Sequence, residues 1–154
     1  MQDVFSVSVY SNLAKAYISL GKNEKAIKIL REGMAKMPNK AELVANLAWL
    51  YLEDEQLEQA FNLAQKAYSL DPEHPGVADT LGWVFYKKGL YNRAIWLLEQ
   101  AEKLEPGQPL VKYHLGLVWR AQGKEDKAEK AFEEALQEGL SGAHQDKAKE
   151  LIRG

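Results

Sequence analysis

The sequence predicts an all-α protein built from stacked pairs of short helices. Three observations carry that reading: residue types recur every 34 positions, apolar residues inside each period follow helical spacing, and glycines and prolines punctuate the segments. Leu13, Leu47, Leu81 and Leu115 form the first column, each 34 after the last. The residue after each is small (Ala14, Ala48, Gly82, Gly116), and an aromatic stands four beyond the leucine (Tyr17, Tyr51, Phe85, Trp119). Ala26, Ala60, Ala94 and Ala128 make a further column, Gly33, Ala67, Ala101 and Ala135 another, and Pro38, Pro72 and Pro106 the last.

Each period divides into two amphipathic helices, the first carrying residues such as Leu13, Ala14 and Tyr17, the second Ala26, Ile27 and Leu30. Gly21, Gly89 and Gly123 can take a positive φ and so stop the first helix, while the prolines end the second. Gly139 is the expected stop in the fourth period, which has Leu140 in place of proline. Small side chains in the seam let the two helices approach closely, and the aromatic fills the space beside them. One pair cannot bury its apolar face alone, so the pairs must stack.

These columns resemble the tetratricopeptide repeat, a 34-residue helix-turn-helix unit with Leu-Gly, Tyr, two spaced Ala and Pro. The resemblance implies a right-handed superhelix, an α-solenoid, of four repeats. On this reading 1–6 is an N-terminal extension, the repeats are 7–40, 41–74, 75–108 and 109–142, and 143–154 is a C-terminal capping helix that buries Ala148, Leu151 and Ile152. Departures are local: Glu55 stands in a turn-glycine position, Ala64 in a bulky one, and Leu140 in the proline column. No capping helix precedes Val7, so the first repeat is expected to have an uncovered edge, with Val4 and Phe5 as the remnant of an earlier helix. Leu47 to Leu50 and Ala78 to Trp83 resemble the last repeats of long bacterial tetratricopeptide proteins, which implies a segment of a larger protein in the bacterial cytoplasm or periplasm. The implied activity is a non-catalytic protein–protein interaction scaffold, not an enzyme, with no cofactor; the alternative is a self-assembly module.

Composition narrows the function classes in the same direction. Apolar residues make up 46% and charged residues 27% of the chain, as in a folded protein, and a net charge of −2 gives no general attraction for nucleic acid. Without cysteine there is no disulfide, thiolate metal site or cysteine nucleophile. No apolar run reaches the length of a membrane span, so membrane insertion is not expected. Gly116 to Lys124 has the wrong spacing for a phosphate loop, and Glu125 stands where a magnesium-binding hydroxyl belongs. His74, His114 and His144 are too far apart for a helical metal pair; His74 reads as a loop residue and His114 as a groove or surface residue.

At about 100° per residue, positions 2, 5, 9 and 12 of each first helix form a second stripe beside the packed face. The family fold turns that stripe toward the concave surface. It holds Ser8, Ser11, Lys15 and Ile18, then Glu42, Ala45, Trp49 and Leu52, then Gly76, Asp79, Trp83 and Tyr86, then Leu110, Tyr113, Leu117 and Arg120. A helix solvated on its second face would show Lys, Glu and Gln instead. Trp49, Trp83, Tyr86 and Tyr113 are therefore the expected apolar anchors for a peptide or helix of a protein partner, with Leu52 and Leu117 beside them. The alternative is that these bulky residues wedge neighbouring repeats together. Asn12, Asn46, Lys15, Asp79 and Arg120 are the expected polar contacts; family members that hold extended peptides use Asn at the position of Asn12 and Asn46, where later repeats have Thr80 and His114.

Co-chaperone members of the family grip a C-terminal carboxylate with a fixed set of Lys, Asn and Arg. Of that set only Asn46 is matched here, so acidic chaperone tails are not expected partners. Residues 7–40 carry seven Lys+Arg against two Asp+Glu, a charge of +5, whereas 41–74 carry one against seven, a charge of −6. Lys22, Lys25, Lys28 and Arg31 lie on an outward helix; attraction between the first two repeats accounts for them better than a nucleic-acid patch does. Trp96 sits where the other periods have Lys28, Asn62 and Lys130, and marks an expected second contact or self-association surface.

Overall fold

The computed structural model describes residues 6–154, so Val4 and Phe5 lie outside the described residues. Among these there are nine α-helices and no strand: α1 (Val7–Ser19), α2 (Asn23–Lys36), α3 (Ala41–Glu53), α4 (Leu57–Leu70), α5 (Pro75–Lys87), α6 (Tyr91–Leu104), α7 (Pro109–Ala121), α8 (Glu125–Gln137) and α9 (Gly142–Arg153). The all-α class is as the sequence predicts. Helices α1, α3, α5 and α7 begin at Val7, Ala41, Pro75 and Pro109, which reproduces the 34-residue period.

Local chemistry sets several boundaries. The Ser6 hydroxyl accepts the Val9 amide at 3.3 Å and caps α1. His74 does the same for α5, its Nδ1 accepting the Val77 amide at 3.3 Å. Pro109 opens α7, where its missing N–H costs nothing. The turns between paired helices pass through the left-handed region at Gly21 (φ +69°), Gly89 (+76°) and Gly123 (+74°). Glu55 holds the same conformation at φ +58°, a position where an L side chain costs about 1 kcal/mol. Glu55→Gly is therefore expected to stabilise the chain by roughly 0.5–1 kcal/mol, read as a rise in the urea midpoint at unchanged slope.

The chain divides into two compact units, 1–80 and 81–154. In the first, Tyr10 and Ala14 of α1, Ala26 and Leu30 of α2, and Leu43, Leu47 and Leu50 of α3 form one buried cluster. Ala41, Val44, Ala45, Ala67 and Val77 form a second, with α3 packed against α4. Leu13 is the exception in its column: it is 40% exposed, and Val9 one turn before it is 49% exposed, whereas Leu47 is 3% exposed.

In the second unit α7 packs against α8 and α6, and α8 against α9. Tyr113, Ala128, Phe132, Ala135, Leu140 and Ala148 form its core cluster, with Leu151 and Ile152 of α9 packed on it. Leu140 is only 5% exposed, so the residue that breaks the proline column fills core space. The seam explains the small-residue column: a Cβ on Gly116 would stand 2.4 Å from the Phe132 ring, and one on Gly82 would stand 3.0 Å from Leu98.

Candidate partner-binding surfaces

In the unit 1–80 the stripe residues divide by exposure. Asn12 and Lys15 of α1 are exposed, and Trp49 and Asn46 of α3 are half-buried. Leu52 is 8% exposed, Asp79 9% and Thr80 7%, so these three face inward. Asn46 donates from its amide to Ser11 Oγ at 3.1 Å, linking α3 to α1, while Thr80 donates to its own helix at the Gly76 carbonyl, 2.8 Å away. Asn46 thus arrives at the stripe with one N–H already used, and Asn12 is the more available amide.

In the unit 81–154 the aromatics form a ladder. Trp83 is stacked on Tyr86 (ring centroids 4.6 Å apart) and on His114 (4.3 Å), and Tyr86 lies 6.0 Å from Tyr91. Beyond His114, Tyr113 stands 4.9 Å from His144 and 5.9 Å from Phe132. The Trp83 indole thus carries two ring partners and remains half-buried. Burial raises the pKa of the Tyr86 and Tyr113 phenols, with the neighbouring Tyr91 and Tyr86 hydroxyls adding to it. Both stay protonated as donors at physiological pH.

His114 differs from the sequence expectation. It is fully buried, not a groove or surface residue, because stacking on Trp83 draws its ring inward. Tyr113 is buried as well, so it supports the ladder from behind. Leu117 is half-buried on the same helix. Arg120 turns toward the C-terminal helix: Nη1 donates to the Leu151 carbonyl at 2.9 Å, and Nε lies 3.9 Å from Glu125. It ties α7 to the last turn of α9. Tyr91 and His144 escaped the sequence reading because neither occupies a stripe position of a first helix.

In this unit a cleft of about 550 Å³ lies between α6, α7 and α8, lined by residues that include Glu99, Glu102, Lys112, Trp119, Lys127 and Glu134. Burial opposes the charge of Lys112, but Glu134 at 2.9 Å and Glu102 at 3.4 Å outweigh it, and the lysine pKa is raised. Burial and the Glu102 and Glu134 charges raise the Glu138 pKa against Lys112. A carboxyl held above its ordinary value of 4.5 contributes stability below that value and loses it as pH rises through the folded pKa. Glu138→Gln is thus expected to raise thermal stability near neutral pH and not below pH 4.5, by at most about 0.5 kcal/mol because the group is exposed and screened. Paired melts at the two pH values check this.

Trp96 is 54% exposed on α6, consistent with an outward surface. On α2, Lys25 lies over the Tyr17 ring and Arg31 donates to the Tyr51 hydroxyl, so half of the basic set is engaged within the unit 1–80. Among the described residues no cluster of three or more His, Cys, Asp or Glu could hold a metal ion, and no helix is long and apolar enough to cross a membrane.

Helix pairs repeating at 34 residues, with aromatic stripes and no assembled catalytic group among the described residues, define a helical-repeat protein. The chain belongs to the tetratricopeptide repeat family: its sequence patterns match residues 7–34, 41–74 and 80–143. Proteins of this family are in general non-catalytic protein–protein interaction scaffolds. No curated protein matches the sequence. Among solved structures, the chain is similar to TTC0263, a thermophilic tetratricopeptide repeat protein of Thermus thermophilus, with a TM-score of 0.84 at 20% identity over 96% of this chain and 82% of that one. It is also similar to pilF of Pseudomonas aeruginosa (TM-score 0.75, 22% identity, 95% and 74% covered) and to MamA (0.65, 25%, 96% and 83%). These likenesses establish the shared fold.

Proposed function

We propose that the chain, as four repeats over 7–40, 41–74, 75–108 and 109–142 with a capping segment at 143–154, binds a peptide or helix of a partner protein through its aromatic stripes. The observation that carries this is the Tyr86–Trp83–His114 stack. Stacking on two rings restrains the Trp83 rotamer, so the half-buried Trp83 and Tyr86 are presented with little further loss of side-chain entropy on binding. Lys87, 5.3 Å over the Trp83 ring, brings a cation to the margin of this surface. In the unit 1–80, half-buried Trp49 with exposed Asn12 and Lys15 offers a second apolar centre with polar neighbours. Tyr113, Leu52, Asp79 and Thr80 act as support behind these surfaces, and Arg120 as a tether of α9.

Trp83→Ala and Trp49→Ala, each shown by circular dichroism to stay folded, are expected to weaken a partner peptide selected from a display library by tenfold or more, about the 1.4 kcal/mol of a modest hot spot. Tyr113→Phe should leave binding unchanged. Unaltered affinity in both tryptophan variants would show that the stripes serve packing alone. The exposed Trp96 favours a second reading, self-association, which predicts a concentration-dependent mass that Trp96→Ala abolishes.

A further inference from the structure

The polar groups around the Trp83 stack are of one kind. Tyr86 and Tyr91 are half-buried with ring centroids 6.0 Å apart, and Tyr86 is stacked on Trp83 at 4.6 Å. Among the described residues neither phenol hydroxyl has a hydrogen-bond partner. Burial, with Tyr91 adding to it, keeps the Tyr86 phenol protonated, and no carboxylate of the described residues contributes. A protonated phenol donates better than it accepts, because the ring delocalises the oxygen lone pair. Lys87, one turn beyond Trp83 on α5, is exposed and holds its ammonium 5.3 Å from the centre of the indole. No carboxylate of the described residues lies within ion-pair distance of it.

The surrounding sequence supplies nothing to match these donors. From Leu81 to Leu98 there is no Asp or Glu, and α7 has none along its length. Asp79, one turn before Trp83 on α5, is 9% exposed and faces inward. Acids farther along the unit have cations of their own: Glu102 and Glu134 lie 3.4 and 2.9 Å from Lys112, and Glu125 lies 3.9 Å from Arg120. A half-buried apolar stack bordered by two O–H donors and an ammonium calls for a ligand that brings both an apolar group and an anionic acceptor.

We propose that this surface selects, within the bound peptide or helix, an Asp or Glu flanked by an apolar residue. The apolar side chain lies against Trp83, and the carboxylate accepts from the Tyr86 and Tyr91 hydroxyls beside the Lys87 ammonium. The inference rests on the stripe reading above and adds the chemistry of its ligand. One carboxylate has two oxygens and can take an O–H on each, and both bonds are charge-assisted. Partial burial reduces the screening that weakens such contacts at a fully solvated surface.

The test selects peptides on the full chain from a random display library and synthesises the tightest binder in two forms, one as selected and one with every Asp and Glu replaced by Asn and Gln. Both are titrated by fluorescence anisotropy. The acidic form is expected to bind about tenfold more tightly, with the gap closing as salt rises. Tyr86→Phe with Tyr91→Phe, and separately Lys87→Met, should each weaken the acidic form by about fivefold while leaving the amide form within about twofold. Lys87 is exposed, so its substitution leaves the fold intact and keeps the test valid whatever the tyrosine pair does to stability. Trp83→Ala should weaken both forms alike. Equal affinity of the two forms, or variants that weaken both equally, overturns this inference while the dependence on Trp83 leaves the stripe reading standing. A library without binders, or binders indifferent to Trp83→Ala and Trp49→Ala, removes the stripe reading and this inference with it.

Discussion

Gly116→Ala is expected to lower stability by about 2 kcal/mol, although alanine is the better helix former by about 1 kcal/mol. The added Cβ would lie 2.4 and 2.6 Å from two atoms of the Phe132 ring, which is itself fully buried. A rigid ring wedged in a filled core cannot yield by rotating a methyl group, so overpacking of about 3 kcal/mol outweighs the propensity gain. At Gly82 the clash is milder: the nearest atom is Leu98 Cγ at 3.0 Å, on a side chain that can shift, and Gly82→Ala should fall within about 1 kcal/mol of neutral. The remedy for Gly116→Ala is already present elsewhere in the chain, where Ala14 faces Leu30 in the same register. Adding Phe132→Leu should recover at least about 1 kcal/mol in a double-mutant cycle followed by urea denaturation. Strict additivity of the two substitutions would show that the seam is not what requires glycine.

Tyr113→Ala is expected to cost more, about 3–5 kcal/mol, and Tyr113→Phe less than about 1 kcal/mol. The ring is 6% exposed and lies against Phe132, His114 and His144, so truncation leaves a cavity with three aromatic walls. The hydroxyl is the smaller contribution: burial raises its pKa, and removing it gives up one polar group without opening space. A loss below about 1.5 kcal/mol for the alanine variant would mean that the core closes around the gap. The contrast also bears on function, because a residue that anchors a ligand loses affinity on truncation in a chain whose stability barely moves.

The period, the helix pairs and the seam were legible because each rests on backbone geometry and side-chain volume, which repeat with the sequence. Even the irregular turn follows the rule, with Glu55 taking the glycine conformation that its neighbours in the column take. The stripe was legible only as an angle on a wheel. An angle places a side chain on one flank of its helix and says nothing about its rotamer or about which ring lies across from it. Trp83 and His114 are 31 residues apart, and only their rotamers bring the rings face to face. The same gap explains Asn46, whose amide meets Ser11, and Arg120, whose guanidinium meets the last turn of α9. Polar residues on a surface helix find whatever acceptor lies within reach of a flexible stem, and sequence spacing does not encode that reach.

An indole stacked on a phenol and an imidazole differs optically from one in water. Coupled transitions in a fixed stack give near-ultraviolet circular dichroism out of proportion to their number. Trp83 therefore reports the order of residues 81–154 through its dichroism, while Trp96, 54% exposed, supplies the red-shifted emission of a solvated ring. The chain carries its own two-channel gauge: one channel registers loosening inside that unit, and the other registers anything that settles on its outer surface.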